Sequence, residues 1–581
     1  MVRTEPTEPL AESAELIATT PENERFVRAI LWLGALLVSA YLTWSARYGI
    51  TVDGLSYLDI ADAFFRRDWG NAINAYWSPL YSWVLGFGLW VLKPSPYWEF
   101  PAVQFINFVI SVFSLVCFGH FWRVLGEVRD LGFLRPEEMQ MVSFSRKAWL
   151  ILGYSLFIWT IVRATIVSVV TPDLLVAGIV FLIASVIVRM RAGYTGFAAF
   201  LFLGPLLGIS YLAKSAMFVF SFVFLGVSFL AVANTRKAVS RSLTALTIFL
   251  AISAPFIAAI SRNKGHLTIG EAGKINYAWD VNKSAPFFNW QPGNAAAGVP
   301  LHPTRKLLSS PTLYEFATPI GGTYPPHFDP SYWNAGLTPH FNFKQQLRAL
   351  VTSGYSFYSS FFVPQAGLCA GVLVLLVLAG KPGLRRLWES WHLWFPGIAA
   401  TGMYALVTLE HRYVGPFVVL IWAAILSSIR LPPALWTRKL LSSVAIIGSF
   451  TLLLSAFEQI ATRMYEMKER STNGNWQIAD GLGRLGIHPG ENVVSLGSAY
   501  DAYWAHLARV KVVAEIPSSD VLTFWALDPA AQSEVLATCR RIGARAIVAS
   551  ETPKGAVRPG WARLGNTDFY AHLLPDLGKP Q

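Results

Sequence analysis

Charge is scarce in this chain of 581 residues: Asp, Glu, Lys and Arg together make up 14% of it and hydrophobic residues 54%. Soluble domains carry about a quarter of their residues charged. That balance excludes an ordinary water-soluble enzyme, and so much apolar surface excludes a disordered scaffold. Cysteine is rare as well. Cys117, Cys369 and Cys539 are scattered and odd in number, which excludes a disulfide framework. A Gly-x-x-x-x-Gly-Lys-Ser/Thr phosphate loop, a Gly-x-Ser-x-Gly elbow and a His-Glu-x-x-His pair are all missing, so ATP-driven transport and the common hydrolase mechanisms lose support. The net charge of +12 does not point to nucleic acid, because Lys and Arg recur between apolar runs instead of forming a basic arm.

Long apolar runs are what the chain has. They fall near residues 26–46, 101–122, 147–165, 173–189, 195–213, 215–233, 241–260, 352–380, 388–409, 413–430 and 437–457. Continuous runs of this length predict membrane-spanning helices and not the alternating strands of a barrel. The expected fold is an all-α polytopic membrane bundle of eleven spans, with 22 Trp, 21 Tyr and 39 Phe serving mainly as interfacial anchors. Residues 1–25 read as a cytoplasmic tail and 26–457 as the transmembrane domain. Placing the first span from cytoplasm to exterior puts Arg123 and Arg129, Arg189 and Arg191, Arg236 and Lys237, Arg385 and Arg386, and Arg438 and Lys439 at inner turns. That order requires Pro79 to Leu92 to lie along the interface or re-enter. The segments 47–100, 261–351 and 458–581 then lie outside. The last alternates short apolar strands with helical patterns and reads as a small extracytoplasmic α/β domain.

The outer segments hold the chemistry. Asp53 sits at the membrane edge, where it is either the N-cap of a helix or a reactive acid, and helical spacing separates it from the Asp59 and Asp62 pair. Asp173 is brought to the same side. Arg163, Lys214, Arg262, Lys264 and Arg412 are cations at the outer surface against the inside bias, with snorkelling anchors as the alternative reading for each. Lys214 interrupts an apolar stretch and Arg412 lies in Glu410-His411-Arg412-Tyr413. For a metal the ligand inventory is thin. His302, His327, Asp329 and His340 lack close pairing, and Asp59 with Asp62 would hold a hard divalent ion only with help.

Four features resemble the GT-C superfamily of membrane glycosyltransferases, and within it the bacterial relatives of protein O-mannosyltransferases and lipid A aminoarabinose transferases. They are Asp53-Gly-Leu-Ser-Tyr57 after the first span, Trp77-Ser-Pro-Leu-Tyr81, Thr171-Pro-Asp173 and Glu410-His-Arg-Tyr413. The pattern covers roughly residues 26–457, and it departs from the two adjacent acids of many members in having Gly54 after Asp53. The resemblance implies transfer of a sugar from a polyprenyl-phosphate donor to an extracytoplasmic acceptor in a bacterial inner membrane, with inversion. Asp53 and Asp173 would be the catalytic acids. Lys214, Arg412, Arg163, Arg262 and Lys264 would meet the donor phosphate, and Tyr57, His411 and Tyr413 would orient substrate. No cofactor is required under this reading, with a divalent metal as the variant. A secondary transporter or lipid flippase would instead need midplane charges and an internal repeat, which the sequence does not show. A non-catalytic assembly protein of the same fold is the other rival, sustained by the single acid at Asp53.

Overall fold

The computed structural model describes residues 21–131, 140–232, 234–284, 289–291, 293, 295–316, 321–468, 472–550, 552 and 559–575. Most of the expected tail 1–25 lies outside the described residues.

Helices dominate. In chain order the principal ones are α1 (Pro21–Ser45), α2 (Val52–Phe65), α3 (Pro79–Leu92), α4 (Glu99–Leu131), α5 (Arg146–Trp159), α6 (Asp173–Arg191), α7 (Phe197–Ala213), α8 (Met217–Leu230), α9 (Thr235–Lys264), α10 (Phe343–Phe357), α11 (Ala366–Glu389), α12 (Trp391–Ala405), α13 (His411–Ser428) and α14 (Thr437–Lys468). Among the described residues eight helices are long and apolar enough to cross a membrane: α1, α4, α5 with its π-helical continuation to Ala164, α6, α9, α11, α13 and α14. The expected eleven spans are therefore not all matched by full-length helices. Phe197–Ala213 and Met217–Leu230 are apolar but short, and α12 has 15 residues. The run 352–380 is divided at Val363–Gln365 between a helical segment ending at Phe362 and the start of α11, where Pro364 removes a backbone donor. The 14 residues of α3 rise about 21 Å, less than the roughly 30 Å of a bilayer core.

Packing follows from shape. Helices α4, α5, α6 and α13 form the heart of the bundle, where Phe118 stacks on Phe157 at 4.9 Å and meets Phe181 edge-on at 5.4 Å. The outer faces of α1 and α14 show Leu33, Leu37, Ile446 and Phe450 to the surroundings, an exposure that suits lipid and not water.

Glycine 54 has a steric reason. Thr51 is the N-cap of α2, its hydroxyl accepting from the Gly54 amide at 3.1 Å, so Asp53 is released from capping. A Cβ at position 54 would stand 2.7 Å from Val170 Cβ and 3.0 Å from Ile50. A second carboxylate cannot be placed beside Asp53 without moving the segment that leads into α6. Gly54→Ala is expected to destabilise the protein by about 1–3 kcal/mol through overpacking, read as a lowered melting temperature in detergent.

The carboxy-terminal sheet has seven strands in the order β1-β2-β4-β3-β5-β7-β6. They are β1 (Arg305–Ser309), β2 (Thr312–Glu315), β3 (Asn492–Leu496), β4 (Lys511–Ile516), β5 (Ala544–Ala549), β6 (Trp561–Arg563) and β7 (Tyr570–Leu573). The centre, β4-β3-β5, is parallel and made of Val, Ile and Ala buried on both faces. Strands β1 and β2 come from the segment 261–351, and β2 pairs antiparallel with β4. The sheet is therefore not confined to residues 458–581, because the edge of β4 is completed by a hairpin from the preceding loop.

Candidate active site

Four helix ends converge where the bundle meets the sheet. Asp53 stands in the first turn of α2 and Asp173 in the first turn of α6, positions that favour a carboxylate through the helix dipole. Lys214 follows the last residue of α7 in an extended conformation, and Arg412 is in the first turn of α13. Their charges alternate in space. Arg412 Nη2 donates to Asp53 Oδ2 at 2.9 Å, Arg412 Nη1 lies 3.9 Å from Asp173 Oδ2, and Lys214 Nζ donates to Asp173 Oδ1 at 2.5 Å. The Lys214 ammonium also sits 3.5 Å from the centre of the Tyr413 ring.

This chain of charges lines a cavity of about 520 Å³. Tyr57 lies on the buried face of α2, held edge-on by Trp77 at 5.2 Å and Tyr81 at 5.1 Å. Tyr404, Glu410 and Tyr413 close one side, and Tyr500 reaches in from the carboxy-terminal domain. Within the chain Asp53, Arg412, Asp173, Lys214 two charges of each sign alternate, while Asp280 and Glu410 add acids to the same lining. An incoming anion would have to draw Lys214 or Arg412 away from a carboxylate.

The structure brings together Asp53, Tyr57, Asp173, Lys214, Arg412 and Tyr413. Four other expected residues are placed elsewhere. Arg163 donates to the Ser455 carbonyl at 2.8 Å and to Glu458 at 3.1 Å, because the π-helical turn after α5 directs it to α14. Arg262 is exposed at the end of α9 and does not line the cavity. Lys264 faces Asp329 at 3.9 Å. His411 Nδ1 contacts the Ala164 carbonyl at 2.8 Å, tying α13 to the end of the α5 segment, and His411 does not line the cavity.

His327 was not singled out as a catalytic residue from sequence, only weighed as a metal ligand. It lies on a short helical turn of the segment between α9 and α10, buried between Trp77 and Tyr500, with ring centres 5.3 Å from each. Its Nδ1 is 2.9 Å from Ser56 Oγ and its Nε2 is 3.7 Å from Asp53 Oδ1. Burial drives its pKa down to about 4 against the pull of Asp53, so the ring is neutral at pH 7. The only sequence signal was a lone His in an aromatic, Pro-rich segment. Asp59 belongs to a different cluster, accepting from Thr323 and His506, while Asp62 meets Arg509. Those two acids are thus engaged by protein donors within that cluster. Among the described residues no group of three or more His, Cys, Asp or Glu is gathered as a metal would require.

Neither a protein-family profile nor a characterised protein sequence matches the chain. Solved structures do. ArnT from Cupriavidus metallidurans in the apo state is 14% identical, with 95% of this chain and 100% of that chain covered and a TM-score of 0.40. The same protein bound to undecaprenyl phosphate is 13% identical, with coverages of 95% and 99% and a TM-score of 0.41. The Archaeoglobus fulgidus oligosaccharyltransferase in complex with Zn and sulfate is 12% identical, with coverages of 90% and 68% and a TM-score of 0.43. Both proteins are GT-C superfamily members. Likeness at these scores carries no argument about activity, which has to come from the chain's own residues.

Proposed function

We propose that the protein is an integral membrane glycosyltransferase of the GT-C type that moves a sugar from a polyprenyl-phosphate donor to an extracytoplasmic acceptor. One observation carries the reading: the alternating chain Asp53, Arg412, Asp173, Lys214 lies along one cavity at helix ends. Cations so placed suit a phosphate that must be gripped and then released as a leaving group. Arg412 offers a fork to the phosphate oxygens and Lys214 a point charge that follows the phosphate as it departs. Asp173 faces the developing positive charge at the anomeric carbon, and Asp53 serves the acceptor side. A single displacement of this kind inverts the anomeric configuration and needs no covalent enzyme intermediate. Any metal would act as a further clamp on the phosphate; Asp53 and Asp173 are paired with Arg412 and Lys214, which leaves Asp280 and Glu410 as the other acids of the lining. The acceptor classes compatible with this reading are lipid, glycan and protein, and the aromatic walls suit stacking on sugar rings.

The test is sugar transfer by purified protein from a panel of polyprenyl-phosphate sugars. Asp53→Asn is expected to lower kcat by about 10²–10³-fold. Undiminished transfer by that variant would remove Asp53 from the mechanism. The orientation we propose, with the site outside the bacterial inner membrane, is checked by single cysteines. Those at Val299 and Ser519 should label in intact cells, and one at Arg191 only after permeabilisation.

A further inference from the structure

We propose that His327 takes the acceptor's proton and that the donor phosphate activates it by drawing Arg412 away from Asp53. The inference rests on the glycosyl-transfer reading above and adds a residue and an order of events to it.

The geometry around Asp53 is the starting point. Its Oδ2 accepts from Arg412 at 2.9 Å, while its Oδ1 faces His327 Nε2 at 3.7 Å. A carboxylate already neutralised by a guanidinium is a weak base. The imidazole beside it is neutral, and the Ser56 hydroxyl orients it. Ser56 has one proton, and the backbone carbonyl of residue 327 stands 3.1 Å from its oxygen. With that proton on the carbonyl, Nδ1–H can donate to Ser56 Oγ at 2.9 Å, and this is the tautomer that proton uptake at Nε2 requires, with the Nε2 lone pair on the side of Asp53 and the cavity. Trp77 fixes the same carbonyl by donating its indole N–H at 3.2 Å. Groups facing the ring include Asp53 and Ser56 from α2, Trp77, and Tyr500 from the carboxy-terminal domain, with Arg412 of α13 one step further on.

Donor binding changes this balance. A phosphate entering beside Lys214 and Arg412 competes with Asp53 for the guanidinium, and each bond to phosphate leaves more of the Asp53 charge uncompensated next to the imidazole. That charge makes His327 a stronger base only when the donor is in place, which keeps water from being activated in the empty site. In the transfer step the acceptor oxygen forms a bond to the anomeric carbon as the bond from that carbon to the phosphate oxygen breaks. The acceptor's proton goes to Nε2, and the bonding electron pair leaves with the polyprenyl phosphate. The imidazolium, held by Asp53, then returns its proton to the released phosphate.

The experiment uses the full chain in nanodiscs. His327→Ala is expected to lower kcat by about 10²–10³-fold with the donor KM changed less than about threefold. Millimolar imidazole should restore transfer in this variant and leave Asp53→Asn unrescued. Retention of kcat within about threefold, or lack of rescue with an unchanged melting temperature, would overturn the proposal. If His327→Ala does not fold, the wild type decides. The His327 imidazole resonance, identified by its loss in His327→Gln, should titrate at least one pH unit higher after polyprenyl phosphate is added, and an unmoved titration would overturn the idea. A wild-type protein that transfers no sugar from any donor would refute the glycosyl-transfer reading itself. An active wild type with an equally active His327→Ala would refute this step alone.

Discussion

Replacing Arg412 with methionine is expected to lower kcat for sugar transfer by about 10³-fold or more, because in the proposed reaction the guanidinium is the bidentate donor to the developing phosphate charge. It is also the group shared by both acids, at 2.9 Å from Asp53 and 3.9 Å from Asp173. Without it Lys214 alone opposes two carboxylates, so the variant loses both the phosphate grip and the balance of the empty cavity. Arg412→Lys keeps the charge and loses the fork, and an intermediate rate is expected. Lys214→Met should act differently. It strips the close partner from Asp173, which is 3% exposed, and should raise the donor KM as well as lower kcat. The measurement is kcat and KM for transfer together with polyprenyl-phosphate binding. Transfer by Arg412→Met within tenfold of wild type would remove the cation from the reaction.

Breaking the buried junction between the helices and the sheet has the second large effect. His506 lies between Asp59, 2.9 Å from Nδ1, and Glu99, 2.8 Å from Nε2, and Arg509 pairs with Glu99 at 2.7 Å and Asp62 at 3.1 Å. Burial and the Arg509 charge both push the His506 pKa down, and the Glu99 charge together with the hydrogen bonds His506 donates to Asp59 and Glu99 more than offsets them, raising it to about 9. A group held above its unfolded value of about 6.5 stabilises the fold fully below that pH, and the contribution is lost as pH rises through 9. The loss is on the order of 3 kcal/mol. His506→Leu should cost about 3–5 kcal/mol at pH 6, since it leaves buried acids uncompensated, and should flatten the decline between pH 7 and 9. His327 titrates in the opposite sense. Its stabilising neutral form is complete above about 6.5 and is lost as pH falls toward 4, so melting temperatures of the wild type should peak near neutrality. A melting temperature unchanged from pH 6.5 to 9.5 would contradict the charge assigned to His506.

Much of this was legible in the residues because helices in a bilayer are written locally. Apolar length located most of the spans, and an acid or cation at the end of an apolar run marked Asp53, Asp173, Lys214 and Arg412. The same rule placed Arg163, Arg262 and Lys264 at the right end of the bundle but could not say which way each pointed. Arg163 turns toward Glu458 because of a π-helical turn that no local pattern announces. His327 and Tyr500 reach the cavity from segments distant in sequence, so only the tertiary fold sets them beside Asp53. Gly54 shows the converse. The sequence departs there from a two-acid pattern, and the cause lies 116 residues away at Val170.

The hairpin formed by β1 and β2 has a consequence for module exchange. The strand that flanks β4 is encoded more than 170 residues upstream of it, so a swap of the carboxy-terminal domain between related chains made by one cut after α14 would leave β4 with a raw edge. A graft that works has to carry two pieces of gene, inherited as a pair, and recombination at a single breakpoint should yield chains prone to aggregate through that unpaired strand.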